Sequence, residues 1–377
     1  MNVLIDGRPL VTSSAGITFF LINSLQAWAA SSPENLFYVA IPKPLNKTVD
    51  TTGWPNNIHI IENRSPFLRR LPNLIWLNLI MPWLVRRLNA DLYFSPLPCI
   101  PFLLPQHLFR LIVVHDVVNI EYQSTMQWTN IISNALFFSR SIRKADLIWT
   151  NSLYTRSKVQ QYFPKRRCQQ IFTGCSVNRT LFRRLSLTEE DRAAVKSKYR
   201  INDRFILFVG SLEPRKNLGY LLGLMPDIYE TTKVQLVVVG GMSWKSSALK
   251  DIIQQDGFPR ESVVFCNFVP NDDLVKLYNM ADSFVSTSLN EGFGMPQLEA
   301  LSCGCPVITS RNSAMAEITE GKSGAVAIEG YDRKQWISVI RKVIDQRPTP
   351  KDDEISSYDW TSIIAKLKER LPFHRKH

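Results

Sequence analysis

Several common signals are missing from this chain of 377 residues. Its six cysteines, Cys99, Cys168, Cys175, Cys266, Cys303 and Cys305, form no C-x-x-C pair and have no histidine near them at zinc-ligand spacing. Neither a metal site nor a disulfide framework is therefore expected, and a reduced, cytosolic setting fits best. The charge-free stretch Leu71 to Val85 runs for only 15 residues, short of the roughly 20 that span a bilayer, and Pro72 and Pro82 interrupt it. The opening MNVLIDGRPL has neither a basic leader nor a long apolar segment. It reads as a strand entering a turn, and secretion is not expected.

Acidic residues are scarce in one half only. Residues 1–185 hold 20 Lys and Arg against 8 Asp and Glu, whereas residues 186–377 hold 25 against 25, so the whole excess of +12 lies in the first half. A surplus confined to one half predicts a polyanionic partner there: an anionic bilayer surface, a nucleic acid or a phosphate-bearing substrate.

Short apolar runs recur along the chain at 2–5, 36–41, 91–95, 110–114 and 146–150, and again at 205–210, 234–240, 262–268, 283–288 and 306–310. Bounded by Gly, Asp, Asn and Pro, they read as buried parallel strands. Helical patterns such as 17–31 and 271–281 lie between them, which predicts two doubly wound α/β domains. The charged stretch 178–204 marks the expected boundary, dividing the chain into 1–185, 186–355 and a closing helix at 356–377 that crosses back to the first domain. Ligands of such sheets bind beyond the carboxyl ends of the strands, so a cleft faced by both domains is the default site.

The segment 66–88 places arginine pairs, Arg69–Arg70 and Arg86–Arg87, on either side of a body containing Trp76 and Trp83. It reads either as a helix lying in a membrane headgroup region or as a partly buried helix with basic ends.

Two stretches carry chemistry. In EGFGMPQLEA (291–300), a glycine turn separates Glu291 from Glu299 and leads into a helix whose first turn tolerates Pro296. The free amides of that turn and of the helix start make a cradle for an anion such as a diphosphate. Two carboxylates beside a diphosphate would repel it, so their expected partners are hydroxyls, one set on a ribose and one on a sugar. In FILFVGSLEPRKNL (205–218), a strand turns at Gly210 and is followed by the neighbours Arg215 and Lys216. Those cations are suited to holding a diphosphate and to neutralising the charge that builds on it as a sugar bond breaks.

With VVVGG (237–241), the run 263–310 and YDWTSIIAKL (358–367), these stretches resemble the retaining glycosyltransferases of family 4, of GT-B fold. The most specific feature is the glutamate pair within NEGFGMPQLEALSCGCPVI. The first half resembles the family more loosely, through AGITFF (15–20), VVHDV (113–117) and TNSLYTRSKV (150–159). The resemblance implies two Rossmann-like domains facing across a cleft, the first binding acceptor and the second binding donor. Arg215, Lys216 and Gly210 then hold the donor diphosphate, and Glu299 takes the ribose. Glu291 and the backbone of Gly292, Phe293 and Gly294 contact the transferred sugar, which His115, followed by Asp116, approaches from the first domain. Gly16 belongs to a loop near the substrates; Thr18 stands where the family often has a second glycine.

The resemblance further implies transfer with retention and no established protein nucleophile. No D-x-D occurs in the chain, so no metal clamp and no cofactor is expected. The implied donor is a nucleotide sugar, with GDP-mannose favoured over UDP- or dTDP-linked hexoses and deoxyhexoses. The implied acceptor is a lipid-linked saccharide of an O-antigen or capsule, met at an anionic membrane surface on the cytoplasmic side. A basic nucleic-acid-binding protein is the rival from another class; it predicts aromatic residues among cations, for which KRRCQQIF (165–172) is the nearest match. No nucleic-acid partner is expected.

Overall fold

The computed structural model describes residues 1–12, 15–121, 137–164, 170–241 and 247–375. Cys168 and most of KRRCQQIF lie outside them. The chain forms two compact units, Met1–Ser176 joined by Tyr358–His377, and Val177–Ser357.

The first unit is built on a seven-stranded parallel sheet. Its strands are β1 Asn2–Asp6, β2 Leu36–Ile41, β3 Ile58–Glu62, β4 Leu92–Ser95, β5 Phe109–Val114, β6 Leu147–Thr150 and β7 Ile171–Thr173, in the order β3-β2-β1-β4-β5-β6-β7. The second sheet contains β8 Phe205–Val209, β9 Gln235–Val239, β10 Val263–Asn267, β11 Ser283–Ser286, β12 Val307–Ser310 and β13 Ala325–Ile328, in the order β10-β9-β8-β11-β12-β13. Each order reverses once, between β1 and β4 and between β8 and β11. At such a reversal the following loops turn to opposite faces and open a crevice. Strands β4, β6 and β9 are buried throughout, which is why they read as unbroken apolar runs.

Helices cover both faces. In the second unit Leu218–Thr232 buries Leu221, Leu222, Met225 and Ile228 against Ile206, Phe208, Leu236 and Val238. Each of those side chains is worth about 1.5–3 kcal/mol in burial. The expected boundary segment is instead structured: Thr188 and Asp191 form a reciprocal cap on a helix spanning Glu189–Tyr199, and the units divide at Ser176 and Val177. Its charged residues read as a break between domains because this helix buries only Val195.

The closing helix Trp360–Lys368 belongs to the first unit. Trp360 packs edge-on against Phe20 and Trp149, with ring centroids 5.4 and 6.3 Å away, and Ser176 Oγ donates to the Tyr358 carbonyl at 2.9 Å.

The segment 66–88 forms two helices, Pro66–Arg69 and Asn73–Arg87, the second continuing through Pro82. Trp76 is only 1% exposed and sits in a core with Leu77, Met81, Leu84 and Tyr93. Trp76 is therefore no membrane contact: helical phase turns it inward, whereas Trp83, 51% exposed, faces out. Arg69 is also committed, donating to Glu62 at 2.6 Å and to the Asn63 carbonyl at 2.8 Å. Among the described residues no helix is long and apolar enough to cross a membrane.

Candidate functional site

The reversal between β8 and β11 gathers the chemistry-bearing loops of the second unit. Beyond Val209 the chain turns at Gly210, whose φ of 153° lies in a region side-chain-bearing residues avoid, and whose amide donates to the Val239 carbonyl at 2.9 Å. The neighbouring tip of β9 closes on it through Gly240, where an added Cβ would stand 1.9 Å from the Gly210 carbonyl oxygen. Only glycine at 240 permits this approach.

Arg215 and Lys216 lie in a short 3-10 turn, Pro214–Lys216, which ends at Asn217 in the left-handed conformation before the helix Leu218–Thr232 begins. The loop after β11 is tied to this turn: the Leu289 amide donates to the Arg215 carbonyl at 2.7 Å, and Thr287 Oγ1 to the Asn217 carbonyl at 3.0 Å.

Glu291 is where the two loops meet. Its Oε1 accepts from Lys216 Nζ and, at 2.9 Å, from Ser288 Oγ; its Oε2 accepts from Arg215 Nη1 at 3.1 Å. Burial by itself would raise this carboxyl, but the charges of Lys216 and Arg215 outweigh it and hold the group below its ordinary range. Glu291 and Lys216 are 8% and 9% exposed. Arg215 also donates from Nε to Glu213 at 2.8 Å and from Nη1 to the Asn290 carbonyl at 3.2 Å. The sequence reading kept the carboxylates apart from the cations. The fold instead makes one cluster in which two cations are matched by Glu213 and Glu291, so both cations are fixed in place before any ligand arrives.

Gly292 and Phe293 complete the loop, Phe293 being buried. Gly294 precedes the helix Met295–Ser302 with φ 104°, and a Cβ there would come within 2.6 Å of Gln297 Oε1. Glu299, on that helix, accepts from Tyr278 Oη at 2.9 Å, and burial pushes its carboxyl up to about 7. It feels the charge of Lys216, so Arg215, Lys216, Gly210, Glu291 and Glu299 belong to one electrostatic neighbourhood of the second unit.

His115, Asp116 and Gly16 belong to the first unit. His115 follows β5; its Nε2 lies 2.8 Å from the Pro96 carbonyl and its Nδ1 2.8 Å from Asn151 Nδ2. The network assigns the Nε2–H tautomer, which donates to Pro96 and accepts from Asn151. Burial lowers the imidazole to about 4, leaving it neutral. Both ring nitrogens are engaged, so a new hydrogen bond from His115 requires it to exchange one partner. Phe20, on the helix Ala15–Ala30 that contains Gly16, meets the imidazole edge-on at 4.9 Å. Asp116 is half-buried beside it. Thr18 turns inward and donates to the Pro9 carbonyl at 2.8 Å, which accounts for a hydroxyl where a glycine is common.

Sequence reasoning missed Glu213, Ser288, Ser313, Tyr278, Asn151 and Gly240. Glu213 had a signal, since it stands two residues before Arg215. Ser313, which accepts from the Glu291 amide at 2.8 Å, comes from a distant loop and had none. Among the described residues, no group of three or more His, Cys, Asp or Glu is placed to hold a metal ion, and the five described cysteines are free.

Two doubly wound parallel sheets of this order are the GT-B fold. The chain superposes on sucrose-phosphate synthase from Thermosynechococcus elongatus with a TM-score of 0.75 at 16% identity, covering 98% of this chain and 97% of that one. Residues 190–359 match the family model described as glycosyl transferases group 1. An O-antigen chain mannosyltransferase B of Escherichia coli is 29% identical over 272 residues, 69% of this chain and 68% of that protein. A serotype-specific mannosyltransferase of Escherichia coli is also 29% identical, over 180 residues, 46% of this chain and 22% of that protein. The family match supports glycosyltransferase activity.

Proposed function

We propose that the protein is a retaining glycosyltransferase that moves mannose from GDP-mannose to a hydroxyl of a lipid-linked oligosaccharide, in O-antigen or capsule assembly at the cytoplasmic face of the plasma membrane. The observation that carries this reading is the Arg215–Lys216–Glu291 cluster at the β8/β11 reversal. The relatives named as mannosyltransferases support mannose as the sugar.

In the free protein the charges of Arg215 and Lys216 are already balanced by Glu213 and Glu291. When the donor's diphosphate enters, the two cations face an anion that gains a further negative charge as the sugar bond breaks. Interactions that strengthen as this charge develops lower the barrier, whereas those equal in both states do not. The backbone from Gly292 to Gly294 and the start of the helix Met295–Ser302 add oriented amides to the same charge. Because Glu291 uses both oxygens to orient the cations, its contact with the sugar runs through the unfilled side of Oε2, which has one bonded donor. Glu299 offers its second oxygen to ribose hydroxyls while Tyr278 holds the first. His115 contributes as a neutral hydrogen-bonding group, and the departing phosphate oxygen takes the acceptor's proton. In this reading Arg215, Lys216 and the amides supply the charge stabilisation without a metal.

A thermal-shift screen of GDP-mannose, UDP-glucose and dTDP-rhamnose tests the donor, since a ligand bound only by the folded state raises the melting temperature. GDP-mannose should give the largest shift. Product analysis with a lipid-linked acceptor should show an anomeric configuration equal to that of the donor; inversion would overturn the retaining mechanism.

A further inference from the structure

We infer that the first unit carries a composite docking surface for an anionic lipid bilayer, formed by one stripe of the helix Asn73–Arg87 and the tip of the loop before β5. This rests on the reading that the acceptor is lipid-linked, and it identifies the surface that meets the lipid.

The helix has two apolar faces. One is buried in the core through Trp76, Leu77, Met81, Leu84 and Val85. The other runs through Ile75, Leu79 and Trp83, spaced four residues apart and therefore aligned along one side, and these are 48%, 57% and 51% exposed. Phe102 and Leu103 extend the patch at 50% and 71% exposure. The loop that bears them is anchored to this helix, because the Phe102 amide donates to Asn78 Oδ1 at 2.8 Å. It is stiffened from behind by Arg140, which donates to the Ile100 and Phe102 carbonyls at 2.9 and 3.2 Å and lies over the Phe102 ring at 4.3 Å.

Charge selects the occupant. Exposed Arg86 and Arg87 end the stripe, Arg87 lies over the Trp83 ring at 4.9 Å, and exposed Arg70 stands before its start. No acidic residue occurs between Glu62 and Asp91. At 15 residues the helix is about 22 Å long, too short to cross a hydrocarbon core but able to lie along its boundary. A cationic rim around aromatic and aliphatic side chains fits anionic headgroups over acyl chains. A protein partner for so basic a rim would have to bring matching acids, and a second copy of this face brings none.

The test is sedimentation of the full chain with vesicles of phosphatidylglycerol and phosphatidylethanolamine, or of phosphatidylcholine alone, with no acceptor lipid in either. Binding to the anionic vesicles only is expected. Trp83→Ser with Leu103→Ser should lower partitioning about tenfold or more by removing two apolar side chains that enter the bilayer. Arg86→Ser should lower it about fivefold, and high salt should weaken the wild type in the same way. All these side chains are exposed, so the variants should keep the wild-type melting temperature and donor-nucleotide shift; Leu103→Ser alone, at a loop tip, serves if the double variant melts early. Wild-type protein that stays in the supernatant, or variants that pellet like it, would overturn the proposal. So would a concentration-dependent dimer abolished by Trp83→Ser, which would make the patch a protein interface. Transfer to a water-soluble acceptor analogue separates the two readings: it should survive loss of the patch, and its absence in the wild type would count against the reaction and not the surface.

Discussion

The two sheets share a strand order but use their reversals differently. In the first unit, Asp6 at the end of β1 accepts from the Arg8 amide, Nε and Nη2 and from Ser95 Oγ, a saturated and fully buried arrangement that locks β1 to β4. In the second, Glu291 stands at the equivalent reversal but is held by two cations from the neighbouring loop, one of them, Arg215, partly open to solvent. One topology thus supports a closed structural pair and an open set of preorganised charges. Net charge follows the same division: the first unit holds 22 Lys and Arg against 10 Asp and Glu, the second 23 against 23. The first unit's surplus lies outside its reversal and is partly spent on a surface, whereas the second unit's balanced charges include a focused site.

The sharpest way to break this contrast is Asp6→Ala, which strands a guanidinium only 7% exposed. It should cost about 3–5 kcal/mol of stability, read by denaturant titration, with the donor-nucleotide shift of the surviving folded fraction retained. Replacing Arg215 and Lys216 by Ala should lower turnover about a hundredfold or more. That change also leaves Glu291 buried without its cations, so melting temperature should fall and should recover in part when Glu291→Gln is added, while turnover stays low. Recovery of turnover would remove the diphosphate role. Next in size, Gly240→Ala should destabilise by about 2–3 kcal/mol through its clash with the Gly210 carbonyl and its φ of 147°. An equally stable variant would show that the two strand tips have room to separate.

The smallest effects concern pH, where the units should differ in sign. Glu299 has a folded value, about 7, above its ordinary one, so its contribution is full in acid and is lost as pH rises toward 7 and beyond. His115 has a folded value, about 4, below its ordinary one, so its contribution is present above about 6.5 and is lost as pH falls toward 4. Melting profiles of Glu299→Gln should lose the fall that runs from about pH 4.5 up to about 7, and those of His115→Gln the fall that runs from about pH 6.5 down to about 4. Matching profiles would mean that neither shift is felt in stability.

The central strands were legible because burial on both faces leaves an uninterrupted apolar run. Strands β3, β7 and β13 were not: each lies at or next to a sheet edge, is only partly buried, and carries short or mixed runs such as IHIIE and IFT. Arg215, Lys216 and Glu291 could be picked out from local motifs, but their pairing could not, because it joins residues 75 and 76 positions apart. Trp76 and Trp83 looked alike in a helix apolar nearly all round, where composition gives no phase; the neighbouring core decides which one is hidden. Residues that orient others, such as Asn151 and Ser313, are ordinary polar residues in loops, and only their tertiary partners mark them.

The packing of Trp360 on Phe20 and Trp149 has a consequence for the order of synthesis. The residues that cover this aromatic cluster are translated only after the whole second unit. A nascent chain halted before Tyr358 would expose the Trp149 and Phe20 rings, so the unit begun first is the one completed last.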